Sequence, residues 1–345
     1  RIKTNIIYIL MDMKLLQSVL FPFSLFYGTI IALRNFMFDK GILNSKIPKI
    51  PNVGVGNLSV GGTGKSVVID YLISIFKEKY SLAVISRGYK RKTKGVIVAN
   101  SNSTVHEIGD EPYQFLSKHN VRIIVSEKRE RALKVISKFK KLPDIILFDD
   151  IMQHRYITPK CLIVTTTYSK PFFRDNLLPA GRLRESPKQI KRAQIILVNK
   201  CPNNLSMKDQ TLFINKIKPL ADNRVFFTTI AYENNLKNNL KSINLSSIKN
   251  SFLLITGIAN PKYLVDFLNK NEFDFLHLKY SNHHNFKKNE IKEIKREQKG
   301  RKIITTEKDF GRLESYFTSD ELFYIPIKLN FIGDGKEKQF KTYLE

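Results

Sequence analysis

The sequence predicts an α/β protein with a parallel sheet domain, a second and smaller α/β domain, and a membrane-associated helix at the N-terminus. Three observations support this fold class. Short apolar runs alternate with helical patterns over most of the chain, the alternation resumes after a polar stretch near residue 240, and an apolar segment covers residues 15–33. Alternating strands and helices are typical of parallel sheets, which bind ligands at the carboxyl ends of their strands.

The composition is that of a globular protein with a strongly basic surface. The chain has 345 residues, of which 42% are hydrophobic, and a formal net charge of +27. Nucleic-acid binders and proteins that rest on anionic membranes are both basic, and part of the charge is also expected from an AT-rich genome. The basic residues are scattered and no nucleic-acid motif occurs, so no nucleic-acid partner is predicted. Cys161 and Cys201 lack the spacing of a disulfide framework or a zinc site.

The first predicted element is an apolar helix. The segment 15–33 contains Pro22 and few polar residues, and Arg34, Asp39 and Lys40 follow it. It is near the length limit for a spanning helix, so a helix that lies in the membrane interface is favoured, with a core helix pair broken at Pro22 as the alternative. Each nearby Lys or Arg would add about 1 kcal/mol of attraction to an anionic membrane. Residues 1–40 are therefore predicted to be an N-terminal membrane-associated segment.

A glycine-rich loop follows the apolar run 50–55 and precedes the helical pattern 67–76. Glycines let backbone N–H groups approach an anion, and the helix N-terminus adds its dipole. The loop matches the phosphate-binding pattern G-x-x-x-x-G-K-[ST] except that Ser59 stands at the first glycine position; an ordinary glycine turn is the alternative. The residues predicted to bind a nucleoside triphosphate are Ser59, Val60, Gly61, Gly62, Thr63, Gly64, Lys65 and Ser66. Residues 41–228 are therefore predicted to form a P-loop NTPase-like parallel sheet domain.

Further short apolar runs predict the remaining strands. In the larger domain they cover residues 82–85, 121–125, 144–150, 162–164, 195–198 and 225–227. The weakly patterned segment 229–250 is predicted to be a linker. Beyond it, the runs 252–256, 275–278 and 302–305 predict strands of the smaller α/β domain, residues 251–345, which is expected to close over the cleft.

Carboxylates stand at the ends of two predicted elements. Asp149 and Asp150 end an apolar strand, where a carboxylate could coordinate Mg²⁺; a solvated turn is the alternative. Asp110 and Glu111 begin a helix, where an Asp is either an N-cap or a general base that takes a proton from a substrate hydroxyl. The first pair therefore predicts a metal site and the second an acid–base site.

Histidines and arginines form the other candidate groups. Gln153 and His154 follow the strand-end carboxylates, toward the same crevice. Arg182 and Arg184 lie in a Pro/Gly loop that suits phosphate recognition, because arginine presents a two-pronged donor. His283 and His284 are adjacent and would point opposite ways on a strand, so both cannot easily share a site, and one of them could support a base across the cleft. Solvated loops and surface histidines are the alternatives.

The ordered motifs together resemble the tetraacyldisaccharide 4′-kinases, which phosphorylate a lipid A precursor. The resemblance runs from about residue 20 to about residue 327 and rests on N-x-S-V-G-G-T-G-K-S, S-R-G-Y, G-D-E-P, D-D-x-x-Q-H, L-L-P-A-G-x-L-R-E, H-H-x-F and T-E-K-D. It implies transfer of the γ-phosphate of ATP to the 4′-hydroxyl of a lipid disaccharide 1-phosphate, which yields lipid IVA. It also implies a peripheral enzyme on the cytoplasmic face of the bacterial inner membrane, with no required protein partner.

The resemblance implies a role for each matched residue. Asp110 would be the base, paired with His283, and Lys65 would serve the phosphates. The residues implied for Mg²⁺ or its positioning are Ser66, Glu111, Asp149 and Asp150. The residues implied for the sugar-phosphate side are Gln153, His154, Arg182 and Arg184.

The sequence departs from the family pattern at four positions, none of them a proposed catalytic group. Asn282 replaces a usual Asp, Ile151 a small residue, Lys90 a common Gly and Thr167 a frequent Asp. The alternatives are a P-loop ATPase or GTPase switch, another membrane-associated small-molecule kinase, and a non-enzymatic basic binding protein. A guanine-reading N-K-x-D motif would favour the GTPase, but the only similar stretch has Pro202 in place of the Asp.

Overall fold

The structure is a computed structural model that describes residues 2–217, 224–248 and 251–344, with side chains described from residue 15 onward. The helices are α1 (Ile2–Asp39), α2 (Lys65–Phe76), α3 (Val105–Ile108), α4 (Asp110–His119), α5 (Arg129–Ile136), α6 (Met207–Ile217), α7 (Lys262–Lys270), α8 (Lys288–Gln298), α9 (Glu307–Leu313) and α10 (Lys336–Thr342). The strands are β1 (Asn52–Gly56), β2 (Leu82–Ser86), β3 (Ile97–Val98), β4 (Arg122–Val125), β5 (Ile145–Asp149), β6 (Cys161–Thr167), β7 (Ile195–Asn199), β8 (Arg224–Tyr232), β9 (Asn235–Lys237), β10 (Ser242–Asn244), β11 (Phe252–Thr256), β12 (Phe275–Lys279), β13 (Ile303–Thr306), β14 (Leu322–Ile325) and β15 (Ile327–Phe331).

The chain divides into two compact units, each built from segments that are separate in sequence. Unit 1 comprises Arg1–Ile69, Asp144–Thr229 and Asn330–Glu345. Unit 2 comprises Asp70–Pro143 and Ile230–Leu329.

Unit 1 is built around parallel strands in the order β8–β7–β6–β1–β5. Every residue of β1 is buried, as is most of β5, because helices and loops cover both faces of a parallel sheet. In the register of these two strands Val55 pairs with Asp149, so both strands end at the same edge. The predicted α/β fold with a large parallel sheet is confirmed, and this edge carries the phosphate loop.

Unit 2 contains two groups of strands. In the first, β2 and β4 are parallel and β3 is antiparallel to β4. The second is a sheet in the order β10–β9–β14–β13–β11–β12. Successive side chains of its strand β11 enter opposite core clusters, with Leu253 and Ile255 in one and Phe252 and Leu254 in the other. Unit 2 therefore contains a second sheet, with an apolar core cluster on each face.

The segment 229–250, predicted as a linker, contributes two short strands to that sheet. Leu236 in β9 and Leu245 after β10 are both fully buried. β9 pairs antiparallel with β10 and, at one position, with β14. The Asn- and Lys-rich composition hides these strands because only single side chains of each reach the core.

Helix α1 contacts unit 1 through few side chains. Ser24, Asn35 and Phe38 are buried, whereas apolar residues on its other sides are exposed, including Phe26 at 70% and Leu33 at 61%. Among the described residues it is the one helix long and apolar enough to cross a membrane, although such a helix near the N-terminus is weak evidence by itself. The predicted N-terminal apolar helix is thus present, and its membrane association stays a prediction.

Lys90 has a φ of 62°, a left-handed conformation that favours glycine, the residue common at this position in the resembled family. We expect Lys90→Gly to raise the free energy of unfolding by about 0.5–1 kcal/mol, since relief of the Cβ clash exceeds the added chain entropy. Urea unfolding measures the change. Lys92→Gly, at an exposed neighbour without positive φ, is the matched control and is expected to destabilise. A Lys90→Gly variant less stable than the parent would contradict the argument.

Candidate functional site

The phosphate loop of unit 1 connects β1 to α2 in a conformation that only glycine allows at two positions. Gly61 and Gly64 have φ values of 104° and 93°. A Cβ on Gly64 would also lie 2.6 Å from the amide nitrogen of Asn199. The loop ends where α2 begins at Lys65, and the first N–H groups of a helix have no partner within that helix. Those N–H groups and the helix dipole make this edge suited to an anion.

Buried amide and hydroxyl groups hold the loop in place. Asn57 donates to the carbonyl of Ser59 at 2.6 Å and to the hydroxyl of Thr63 at 2.9 Å. Thr63 also contacts the hydroxyl of Thr165 at 2.8 Å. Asn199 Nδ2 donates to the Thr63 carbonyl at 2.7 Å, so the asparagine of the N-K-x-P stretch supports the loop.

Lys65, Asp150 and Arg184 form a charged cluster beside the loop. The ammonium of Lys65 lies 3.5 Å from Asp150 Oδ1 and donates to Asn57 Oδ1 at 3.2 Å. Arg184 faces the same carboxylate with two nitrogens, at 3.1 Å to Oδ2 and 2.9 Å to Oδ1. Lys65 and Arg184 thus place two cations around the Asp150 carboxylate, next to the loop. The cluster is therefore suited to a phosphate group.

The candidate metal ligands of unit 1 are Asp149, Asp150 and Ser66. Asp149 is buried at the last position of β5, paired with Val55 of β1, and Ser66 lies in the first turn of α2. Within the described residues, no group of three or more His, Cys, Asp or Glu side chains is arranged to hold a metal ion.

The residues predicted for the sugar-phosphate side have different surroundings. Gln153 donates to the Asn57 carbonyl at 2.9 Å, and its buried Oε1 finds no hydrogen-bond partner among the described residues. The ring of His154 packs edge-on against Tyr156, with centroids 6.0 Å apart. Arg182, 40% exposed, pairs with Asp175 at 2.7 Å. Backbone bonds from Val60 N to Arg182 O and from Arg184 N to Leu58 O, both 2.7 Å, place the arginine loop against the phosphate loop.

Unit 2 brings Asp110 and His283 together across 173 residues of sequence. Nδ1 of His283 lies 2.5 Å from Asp110 Oδ2. An ionised carboxylate only accepts hydrogen bonds, so this contact requires the imidazole tautomer protonated at Nδ1. Arg312 donates from Nε to Asp110 Oδ1 at 2.8 Å and from Nη2 to Oδ2. Burial by itself raises the pKa of Asp110, but the hydrogen bonds from His283 and Arg312 outweigh it and hold that pKa below its usual value.

Glu111 and His284, which follow Asp110 and His283 in the sequence, have other partners. Glu111, predicted for the metal, accepts from Lys308 at 2.7 Å. Burial opposes the ionised form, yet the ammonium of Lys308 lowers the pKa of Glu111. His284 contacts Glu290 at 3.0 Å, while His283 adopts a φ of 58° in a turn and not on a strand. The expectation that the adjacent histidines serve different sites therefore agrees with the geometry, whereas the metal role of Glu111 stays a prediction.

Sequence reasoning missed two residues of these sites. Asn57 is the first residue of the N-x-S-V-G-G-T-G-K-S motif, but the motif does not reveal that its buried amide contacts Lys65 and Thr63. Arg312 follows the T-E-K-D motif by one helical turn, which puts it on the same face of α9 as Asp309. This three-residue spacing is the sequence feature that could have identified Arg312.

The chain is similar to known proteins over most of its length. The chain matches the Tetraacyldisaccharide-1-P 4′-kinase family over residues 16–345. It is 42% identical to the tetraacyldisaccharide 4′-kinase of Flavobacterium psychrophilum, covering 96% of this chain and 98% of the relative, and 36% identical to that of Bacteroides thetaiotaomicron, covering 92% and 90%. The crystal structure of "apo" form LpxK from Aquifex aeolicus in complex with ATP has a TM-score of 0.76 at 26% identity, covering 95% of this chain and 99% of that one. The chain belongs to the tetraacyldisaccharide 1-phosphate 4′-kinase family.

Proposed function

We propose that this protein transfers the γ-phosphate of ATP to the 4′-hydroxyl of a tetraacyldisaccharide 1-phosphate, which yields lipid IVA in lipid A biosynthesis. The observation that carries the assignment is membership of the kinase family over residues 16–345, together with relatives of the same activity at up to 42% identity. The ATP complex of the structurally similar Aquifex aeolicus protein supports ATP as the donor. The protein is thus an ATP-dependent kinase.

The phosphate loop would bind the ATP phosphates in this reaction. Its glycines and the start of α2 present backbone N–H groups, and Lys65 supplies a positive charge beside them. Phosphoryl transfer depends on alignment and charge neutralisation more than on covalent steps. Arg184, fixed by Asp150, adds a second cation for the phosphate-bearing substrates.

The donor set next to the loop fits Mg²⁺. The hydroxyl of Ser66 and the carboxylates of Asp149 and Asp150 are all oxygen ligands, which this hard cation prefers. When bound, the ion would neutralise charge on the transferred phosphate. Glu111 is the weakest member of the predicted set, because Lys308 already neutralises its carboxylate.

Asp110 would take the proton from the acceptor hydroxyl, with His283 as its partner. A base must be ionised before the reaction, and Arg312 and His283 both stabilise the ionised carboxylate of Asp110. His283 holds that carboxylate through the contact between its Nδ1 and Asp110 Oδ2 at 2.5 Å.

The N-terminal helix supports a lipid acceptor at a membrane surface. The hydroxyl of Tyr27 donates to the Arg184 carbonyl at 2.9 Å, and Arg34 donates to the Gln153 carbonyl at 3.0 Å. The helix thus contacts two of the residues assigned to the sugar-phosphate side, while its remaining faces expose apolar side chains. We assign α1 to the membrane and the active protein to the cytoplasmic face, where ATP is available.

If α1 binds lipid, Phe23→Gln/Phe26→Gln should reduce binding to vesicles of phosphatidylethanolamine and phosphatidylglycerol by about tenfold or more, because each buried phenylalanine contributes about 1.5–3 kcal/mol. Both side chains are exposed, at 62% and 70%, so the fold should not change. Vesicle co-sedimentation measures the bound fraction. Leu240→Gln, at an apolar residue 79% exposed in unit 2, is the matched control and should bind like the parent. Unchanged binding of the double variant would exclude this role for the exposed face.

The proposed reaction is tested by transfer of labelled phosphate from [γ-³²P]ATP to tetraacyldisaccharide 1-phosphate in detergent micelles. We expect a labelled product whose phosphate is on the 4′-position, and none with an acceptor that lacks the 4′-hydroxyl. ATP binding is measured in parallel. A chain that binds ATP but labels no disaccharide would refute the kinase assignment and favour an ATPase.

A further inference from the structure

Helix α9 of unit 2 carries a guanidinium group against the proposed base. Arg312 faces both oxygens of Asp110, with Nε 2.8 Å from Oδ1 and Nη2 in contact with Oδ2. Both side chains are only 6% exposed. A planar guanidinium that contacts both oxygens fixes the plane of a carboxylate as well as its position, which a lysine could not do.

Arg312 is itself held from its far side. Its Nη1 donates to Asp309 Oδ1 at 3.1 Å, and Asp309 Oδ2 accepts from the backbone N–H of Gly257 at 2.8 Å. The Gly257 carbonyl in turn accepts from the backbone N–H of His283 at 2.9 Å. One turn after β11 therefore fixes both partners of Asp110. A Cβ on Gly257 would lie 2.9 Å from Asp309 Oδ1, so this close approach favours glycine.

We propose that Arg312 is a positioning residue that orients Asp110 and leaves one lone pair of Oδ1 for the acceptor hydroxyl. The inference rests on the proposed function, in which Asp110 receives the hydroxyl proton. An ionised carboxylate offers about four acceptor positions. In the described structure His283 and Arg312 occupy Oδ2, and Arg312 Nε occupies one position on Oδ1. The second position on Oδ1 is the one that remains, and Arg312 acts through Asp110 without contacting the substrate.

The test is Arg312→Ala with the kinetics of both substrates. We expect kcat to fall by about 100-fold, with KM for ATP and for the disaccharide within about threefold of the parent, because a misplaced base slows only the chemical step. Millimolar guanidinium chloride should restore at least about tenfold by occupying the vacated space. Arg312→Lys should recover less than guanidinium does, since it keeps the charge and loses the planar donor pair.

Tyr113→Phe is the matched control. It removes the contact of the Tyr113 hydroxyl with Glu314, which also joins α4 to the chain after α9 but does not touch Asp110. Its kcat should stay near that of the parent and should not respond to guanidinium. The proposal is overturned if Arg312→Ala keeps its kcat, if the loss is confined to KM, or if guanidinium restores nothing.

A thermal measurement separates this proposal from the proposed function. Guanidinium should raise the Tm of Arg312→Ala, because a ligand that binds the folded state stabilises it, and should not raise that of Arg312→Ala/Asp110→Asn. If the parent transfers no phosphate but this difference is found, the kinase assignment fails and the fixing of Asp110 by Arg312 stands. If the parent is active and neither variant responds, the role of Arg312 is refuted.

Discussion

Replacing Asp110 with asparagine is expected to lower kcat by about three orders of magnitude and to leave KM for ATP within about threefold of the parent. Asparagine has the same shape as aspartate but cannot accept a proton at neutral pH, so the acceptor hydroxyl would lose its base. The substitution also removes the charge that pairs with Arg312 and accepts the hydrogen bond of His283. Steady-state transfer assays and equilibrium ATP binding together measure the two effects.

Glu290→Gln provides the matched control for this variant. Glu290 contacts His284, the neighbour of His283, at 3.0 Å, so the substitution removes a similar histidine–carboxylate pair from the same turn. We expect its kcat to stay within about twofold of the parent, as is usual for exposed pairs. Asp110→Asn with a kcat like that of the control would remove Asp110 as the base.

Replacing Lys65 with methionine should lower kcat by about 100- to 1000-fold and weaken ATP binding, because loss of one charged donor from a phosphoryl-transfer site costs about that much. Methionine keeps the length and apolar stem of lysine. The ammonium is held near the loop by Asn57 at 3.2 Å and Asp150 at 3.5 Å. Its removal also takes from Asp150 one of the two cations described beside it, Lys65 and Arg184, which would lower the positive charge at the loop.

Lys200→Met tests whether any ammonium near the loop has this effect. Lys200 donates to the carbonyl of Gly62 at 2.8 Å and so supports the backbone instead of facing the anion-binding N–H groups. We expect its kcat to stay within about threefold of the parent, since a single exposed hydrogen bond is worth about 1 kcal/mol. Equal losses in both variants would show that Lys65 has no specific contact with the phosphates.

Local sequence patterns predicted the strands that are buried along their length and the helix that follows the glycine-rich loop. The apolar run 50–55 corresponds to β1, the run 144–150 to β5, and the helical pattern 67–76 to α2. Their signals are local, because a strand buried on both faces is apolar throughout. By contrast, the short strands β9 and β10 gain their stability from pairing with neighbours, which no local pattern records.

The two sites differ in how far the sequence could predict them. Lys65 begins the helix that follows the β1 loop and Asp150 directly follows β5, so both lie at the carboxyl edge of adjacent parallel strands, where the predicted fold binds ligands. The proximity of Asp110 to His283 came from resemblance to a family. That of Asp110 to Arg312 spans 202 residues and depends on how α4 packs against α9, so no spacing rule could show it.

The sequence by itself determined the α/β class, the phosphate loop and the family, because these depend on local periodicity, glycine geometry and an ordered set of motifs. Only the tertiary structure decided which partners surround each candidate site residue. In the folded chain Asp150 contacts both Lys65 and Arg184. Asp110 contacts both His283 and Arg312, and Glu111 pairs with Lys308. Those partners come from distant segments, and their electrostatic effect falls off within a few ångströms, so it exists only once the chain has folded.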